Sequence, residues 1–479
     1  MRRTKTPYPG GINVMAQDEA GQWQTVGAII LPRGDSSGGF RYDSEYHGPP
    51  LSPDLDYLSP RQPADLPDPL FFELSAKAEQ HPNPVDHEDL HPLFKAALPG
   101  RWGSMVMTSH SAQYARSSPA EQLVLLGSVG AWRSGGLRFE SQSDNMNNSA
   151  QGLDALTALH DSVNQFLVSV TEHHCIPRDA PVGLPSQRWS LSSNGGAAPK
   201  VAVYHDGHEW VGKMSREAIG TFEETRVEAG MLAASRDAGL TTVDAVLHEL
   251  QSGQAVLLTR RFDAVPLVKS DAPDNDDDDA DPADGVRRIH KIPMFVAMDL
   301  LQTSRSDYTL MADFLRVNSS RPDDDVRELY GRMVFNAYSD NTDDHLGQFE
   351  LLQDGARWTL APNYDLTIPS PGTEAPHAIT MDGDERPTYS AEWLDNLSDR
   401  FGIERGEGRE IATRVLAAIE RLPEYWASYG VPESTVAQLM PSIQTPGHSN
   451  LKLELDSLAT GHAQRQTPGL AVRSIIGPR

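Results

Sequence analysis

Asn341-Thr342-Asp343-Asp344-His345-Leu346-Gly347-Gln348 is followed by Phe349 to Leu352, an Asp354-Gly355 turn, and Trp358-Thr359-Leu360-Ala361-Pro362-Asn363-Tyr364-Asp365. Two acidic clusters therefore flank a strand–turn–strand pattern, and a hairpin there returns the chain on itself. That geometry would bring Asp365 back beside Asp343. Asp343 also stands five residues before the amide of Gln348. Kinase catalytic loops use this spacing for a base aspartate, a metal-binding amide and, further along, a metal-binding aspartate. The stretch is read as a phosphoryl-transfer centre, with Asp343 as the base and Gln348 and Asp365 as ligands for Mg2+.

Composition sets the frame without deciding the chemistry. The 479 residues suffice for a large core and more than one domain. A net charge of −26 would repel a phosphate backbone, so direct nucleic-acid binding is not expected. Cys175 is the only cysteine, which excludes intramolecular disulfides and cysteine-based zinc sites. Pro9-Gly10-Gly11 stands where a secretory signal needs an apolar run, and no stretch has membrane-spanning length. The expectation is a cytoplasmic protein with no membrane partner.

Upstream of the acidic stretch lies a second set of parts. Ser190-Leu191-Ser192-Ser193-Asn194-Gly195-Gly196-Ala197-Ala198-Pro199-Lys200 is rich in glycine and hydroxyls, with Gly195 and Gly196 permitting close backbone approach to a phosphate. Val201 to Tyr204 and Trp210 to Met214 read as a hairpin closed by Asp206-Gly207, which places Lys213 on a strand. Thr225 to Ala238 reads as a helix with Val227, Met231 and Leu232 on one face and Glu228 reaching inward. Ala255 to Leu258 is a further strand, running into Arg260-Arg261-Phe262-Asp263. Gly-rich loop, strand lysine, helix glutamate and apolar strand follow the order of a kinase nucleotide-binding lobe, with ATP as the cofactor.

Two other motif matches fail. Gly207-His208-Glu209-Trp210-Val211-Gly212-Lys213 covers most of a Walker A pattern, but Met214 replaces the hydroxyl residue and the segment is a hairpin. Asp274 to Asp279 lacks the glycine and the final glutamate of a calcium loop, so it is read as a solvated surface segment. Within the acidic stretch, Asp344 is expected to be solvated, His345 to hydrogen-bond inside the loop, and Asn341 to cap the turn.

The remaining chain supplies scaffold. Ile12 to Met15, Val26 to Leu31 and Phe40 to Tyr42 read as strands, residues 48–70 as an irregular connector, and Leu93 to Leu98 and Trp102 to Thr108 as helices. Gln122 to Trp132 is apolar without a decisive period. Helices are predicted near 293–302, 309–316, 324–339, 391–400 and 407–422. Ile411, Val415, Ile419 and Leu422 form an apolar stripe on the last of these.

The chain resembles the HipA-type serine/threonine kinases, toxin components of bacterial type II toxin–antitoxin systems. The resemblance rests on Gly195 to Lys200, Trp210 to Lys213, Arg261-Phe262-Asp263, and above all Asn341 to His345 with Leu360 to Leu366. Weaker similarity at Val26-Gly27, Phe40 to Tyr42 and Ala97 to Gly103 extends it over roughly residues 12–430. It implies a phosphate lysine at Lys213, a catalytic aspartate at Asp343 and a metal aspartate at Asp365. It also implies autophosphorylation of the Gly-rich loop at Ser193, or at the adjacent Ser192. A small DNA-binding antitoxin and a translation-related protein substrate, such as an aminoacyl-tRNA synthetase, are the partners it implies. Three departures stand out: Gln348 where the family carries Asn, Gly347 where a basic residue is frequent, and Arg260 where an acidic residue is frequent. Magnesium tolerates geometric error poorly, so Gln348 and Arg260 raise the alternative of a catalytically weak module that works mainly by binding an antitoxin. A small-molecule or lipid kinase is a third reading.

The predicted fold class is α+β, a two-lobed protein-kinase-like fold with a mixed α/β N-terminal subdomain and a mainly helical C-lobe. The expected division is 1–185 for the N-terminal subdomain and lobe start, and 186–266 for the nucleotide-binding lobe with its Gly-rich loop. Residues 267–285 then form an acidic surface loop, 286–440 the helical catalytic lobe, and 441–479 a loosely ordered tail.

Overall fold

The structure is a computed structural model that describes residues 11–30, 39–55, 71–73, 91–110, 135–140, 152–173, 198–215, 223–267, 286–299, 306–370, 375–384, 390–443 and 451–458. It opens with a five-stranded antiparallel sheet in the order β4-β3-β2-β1-β5. The strands are β1 (Gly11–Gln17), β2 (Trp23–Ile30), β3 (Gly39–Tyr42), β4 (Phe71–Glu73) and β5 (Leu137–Glu140). Helices α1 (Pro92–Ala96) and α2 (Arg101–His110) lie between β4 and β5 in sequence. The expected helix pair and first three strands are thus present, while Gln122 to Trp132 and most of the 48–70 connector lie outside the described residues.

Helix α3 (Leu156–His173) leads to a second antiparallel sheet, ordered β6-β7-β9-β8. Its strands are β6 (Lys200–His205), β7 (His208–Met214), β8 (Ala245–Glu249) and β9 (Ala255–Arg260). Asp206 and Gly207 both have positive φ, 50° and 73°, the requirement of a type I′ turn. The two-residue period divides this sheet cleanly. Val201, Val203, Trp210, Met214, Val256 and Leu258 share one apolar cluster with Leu156, Val163 and Phe166 of α3 and with Trp102 of α2. Lys200 and Lys213, out of phase with those residues, project to the opposite face. There they meet α4 (Glu224–Asp237), whose Val227, Met231 and Leu232 are fully buried.

Two short strands, β10 (Ala264–Pro266) and β11 (Val286–Arg288), pair with each other. The segment that should carry the acidic run, 268–285, lies outside the described residues. A three-stranded sheet follows, ordered β12 (Lys291–Pro293), β13 (Glu350–Asp354) and β14 (Arg357–Leu360). Around it are α5 (Met294–Asp299), α6 (Tyr308–Asn318), α7 (Pro322–Ser339), α8 (Ala391–Arg400), α9 (Arg405–Glu420), α10 (Leu422–Ser428) and α11 (Glu433–Ile443). Helix α7 starts with Pro322 and three aspartates in its first turn, where the macrodipole favours negative charge. It stops at Asp340, a left-handed C-cap at φ 57°.

Two expectations are corrected here. The predicted 407–422 helix is broken: Leu422 opens α10 rather than closing α9, although Ile411, Val415, Ile419 and Leu422 are all buried as their stripe suggested. The tail is not uniformly loose, because residues 451–458 are helical and bury Leu451 and Leu455 in the main core. Glu454 ties that helix down by accepting from the Ala391 backbone N–H at 2.8 Å.

Candidate active site

Lys213 and Lys200 stand directly opposite each other in the β6–β7 ladder. Like charges in that position destabilise a sheet, so something must offset them. Two acidic groups do so. Lys213 Nζ lies 2.5 Å from Glu228 Oε2 on α4 and 2.7 Å from Asp365 Oδ1. Lys200 Nζ lies 3.9 Å from Asp365 Oδ2, the oxygen that also accepts from Gln348 Nε2 at 3.0 Å. The β13–β14 hairpin therefore returns Asp365 beside the Asp343 to Gln348 stretch, as its strand–turn–strand pattern predicts.

Backbone contacts fix Asp365 from behind. Asn363 N donates to the Thr241 carbonyl at 2.7 Å, and Val243 N donates to the Asn363 carbonyl at 3.1 Å. Arg332, buried on α7, donates to the Ala361 carbonyl at 2.7 Å. Asp365 itself adopts φ 54°, a left-handed conformation that aspartate tolerates better than most residues but that still costs on the order of 1 kcal/mol.

Electrostatics follow from that enclosure. Burial disfavours the Asp365 anion, but Lys213, Lys200 and the hydrogen bonds from Lys213 and Gln348 outweigh it and hold the carboxyl well below its usual range. Burial dominates at Glu228 and, with Asp365 nearby, pushes it up to about 7 against the pull of Lys213. Burial likewise drags Lys200 below the ordinary lysine value, with Asp365 opposing. Lys213, held between two carboxylates that overcome its burial, is raised.

Asp343 lies at the mouth of the same cleft, a cavity of about 420 Å³ whose walls include Lys200, Lys213, Glu228, Thr342 and Asp365. Its carboxylate is 64% exposed and sits 3.9 Å from His345 Nε2. Partial desolvation by the cleft walls raises its pKa, His345 opposes this, and Asp365 adds to it. His345 Nδ1 accepts from Gly347 N at 3.1 Å, the loop hydrogen bond expected of it.

Asp344 is the clear correction: it is fully buried rather than solvated. It accepts from Tyr308 Oη at 2.7 Å and Ala378 N at 2.9 Å, and pairs with His377 Nδ1 at 3.2 Å. Asn336 Nδ2 donates to Tyr308 Oη at 2.9 Å, and Asn341 Nδ2 donates to Asn336 Oδ1 at 2.9 Å. This polar chain pins the loop to α6 and α7, leaving Asp343 as the member that faces the cleft. Alternation of acidic residues, one out and one in, is invisible without knowing which side of the loop is solvent.

Gly195, Gly196 and Ser193, with Ser192, lie outside the described residues. Lys200, the last residue of that motif, is in the site, and its role was missed because a lone lysine before a strand carries no signal of orientation. Arg260 pairs instead with Asp244 at 3.4 Å, 37% exposed. The Walker A-like residues form the β6–β7 turn and strand, in agreement with the rejection of a P-loop. Among the described residues no cluster of three or more acidic, histidine or cysteine side chains forms a ready metal site, and no helix is long and apolar enough to cross a membrane. A divalent cation would have Asp365 and, after rotation of its amide, the Gln348 oxygen. Such a pair suits magnesium, which completes its shell with water and phosphate.

The fold and site thus define a mixed α/β protein with lysine, glutamate and aspartate converging on one cleft. Residues 192–422 match the model of the HipA-like C-terminal domain. Over that span the chain is similar to HipA-type proteins. It shares the fold of HipA from Shewanella oneidensis MR-1, solved with HipB and operator DNA, at a TM-score of 0.59 and 13% identity, over 93% of this chain and 97% of that one. The Helicobacter pylori proinflammatory kinase CtkA aligns at a TM-score of 0.38 and 11% identity, over 57% of this chain and 94% of that one. No curated protein matches the chain in sequence.

Proposed function

We propose that the chain is an ATP-dependent serine/threonine protein kinase of two-lobed, protein-kinase-like architecture. The observation that carries this reading is the convergence of Lys213, Glu228 and Asp365, from three separate elements, beside Asp343. In phosphoryl transfer the protein contributes mainly positioning and charge, and these groups supply both. Lys213 binds phosphate oxygens, with Glu228 orienting its ammonium. Asp365 and Gln348 hold magnesium, which when bound would neutralise the charge developing on the phosphoryl oxygens. Asp343 accepts the proton of the attacking hydroxyl, a role that its upward-shifted pKa suits.

A protein hydroxyl is the acceptor, Ser193 of the chain's own Gly-rich loop among them. The partner is a small DNA-binding antitoxin, since the Shewanella relative was solved with HipB and DNA and a charge of −26 disfavours direct DNA contact. A cytoplasmic location is in keeping with this reading. One observation favours the weaker-catalyst alternative: the Gln348 amide donates to Asp365, the proposed metal ligand. Incubation of the full chain with γ-labelled ATP and Mg2+ tests the proposal. Label recovered as phosphoserine supports it, and unlabelled protein with no ATP consumed sinks it.

A further inference from the structure

Asp365 Oδ2 is the most contested atom of the site. It accepts from Gln348 Nε2 at 3.0 Å and faces Lys200 Nζ at 3.9 Å, while Oδ1 is taken by Lys213. Because a carboxylate only accepts, Gln348 must present its N–H2 here and turn its oxygen away. Both oxygens of the metal-binding carboxylate are thereby satisfied by the protein's own donors. The Lys200 and Asp365 side chains are only 8% and 11% exposed, so water screens their attraction weakly. Lys200 also sits opposite Lys213 in the ladder, a placement that sheet stability alone disfavours.

We propose that Lys200 is a charge latch on Asp365: it keeps a free divalent cation off the site, and shifts to the polyphosphate of an incoming nucleoside triphosphate, releasing Asp365 to the cation. Metal and nucleotide therefore enter together. This rests on the nucleotide reading above. Lys200 acts as a positioning residue, and its two interactions have opposite signs. Removing its charge should tighten binding of free cation and weaken binding of nucleotide. A purely structural role would weaken both.

Mn2+ titrated into the full chain without nucleotide, followed by the paramagnetic resonance of the free ion, reads the first effect. Calorimetry with a non-hydrolysable ATP analogue and Mg2+ reads the second. Lys200→Met should bind Mn2+ about tenfold more tightly and the analogue about tenfold more weakly than wild type, the change of one lost charge interaction of about 1.4 kcal/mol. Lys200→Arg, which keeps the charge, should stay within about threefold of wild type in both, given that the same fold-change scale applies. Unchanged or weaker Mn2+ binding by Lys200→Met overturns the latch. Wild type that binds no analogue overturns the nucleotide reading and the latch with it. Unaltered binding of the analogue by Lys200→Met overturns the latch alone.

Discussion

Asp344→Ala should loosen the loop that carries Asp343 without touching the cleft. The wild-type carboxylate takes a hydrogen bond from Tyr308 Oη and another from Ala378 N, with His377 beside them; Asp344, Tyr308 and His377 are buried, whereas Ala378 is exposed. The His377 ring can change tautomer to recover a partner. Tyr308 cannot turn to Asn336, because Asn336 Nδ2 already donates to its oxygen, and Ala378 N is fixed backbone. Water can reach the exposed Ala378 N, so the one stranded donor, Tyr308 Oη, at about 1–3 kcal/mol gives a loss of about 2 kcal/mol, against the roughly 5–15 kcal/mol that holds a domain together. Asp344→Asn, which keeps one acceptor oxygen, should lose about half of that. Urea unfolding at pH 7, read as a midpoint shift at constant slope, measures it. A midpoint for Asp344→Ala within about 0.5 kcal/mol of wild type would refute the claim that this buried carboxylate organises the loop.

Three further outcomes follow from the same packing and charges. Trp426 on α10 packs against Gly230 of α4, donating Nε1 to the Val227 carbonyl at 3.1 Å. Trp426→Ala should therefore cost about 3–5 kcal/mol by calorimetry or chemical unfolding. A Cβ added at Gly230 would meet Trp426 Cδ1 at 2.3 Å, so Gly230→Ala should destabilise despite its better helix propensity, and a rise in Tm would contradict this packing. Glu228 titrates near 7 when folded against its usual 4.5, so the folded state holds that proton more tightly. Its stability contribution is present below about pH 4.5 and lost as pH rises through about 7, and Glu228→Gln should flatten that fall in a pH series of unfolding midpoints.

The Lys213–Glu228 side of the cleft was legible because each part has a local signature. Asp206-Gly207 demands a turn, alternation puts Lys213 on a strand face, and the 3.6-residue period turns Glu228 inward with Met231 and Leu232. What escaped the sequence depends on contacts far along the chain. Lys200 acquires its meaning only through Asp365, 165 positions on, and Asp344 only through Tyr308 and His377. Helix α3 and residues 451–458 likewise earn burial from distant neighbours, Val201 and Val203 in one case and the main core in the other. The Gln348 departure changed its meaning too: its longer side chain reaches Asp365 and satisfies the carboxylate.

Asp343 is proposed as the base that readies a hydroxyl for phosphoryl transfer. The most direct test is the initial rate of γ-phosphate transfer from ATP to the protein, compared between wild type and Asp343→Ala at matched nucleotide occupancy. The expected result is measurable transfer by wild type and a fall of about 10²–10⁴ in the variant. Equal rates in the two proteins would contradict it.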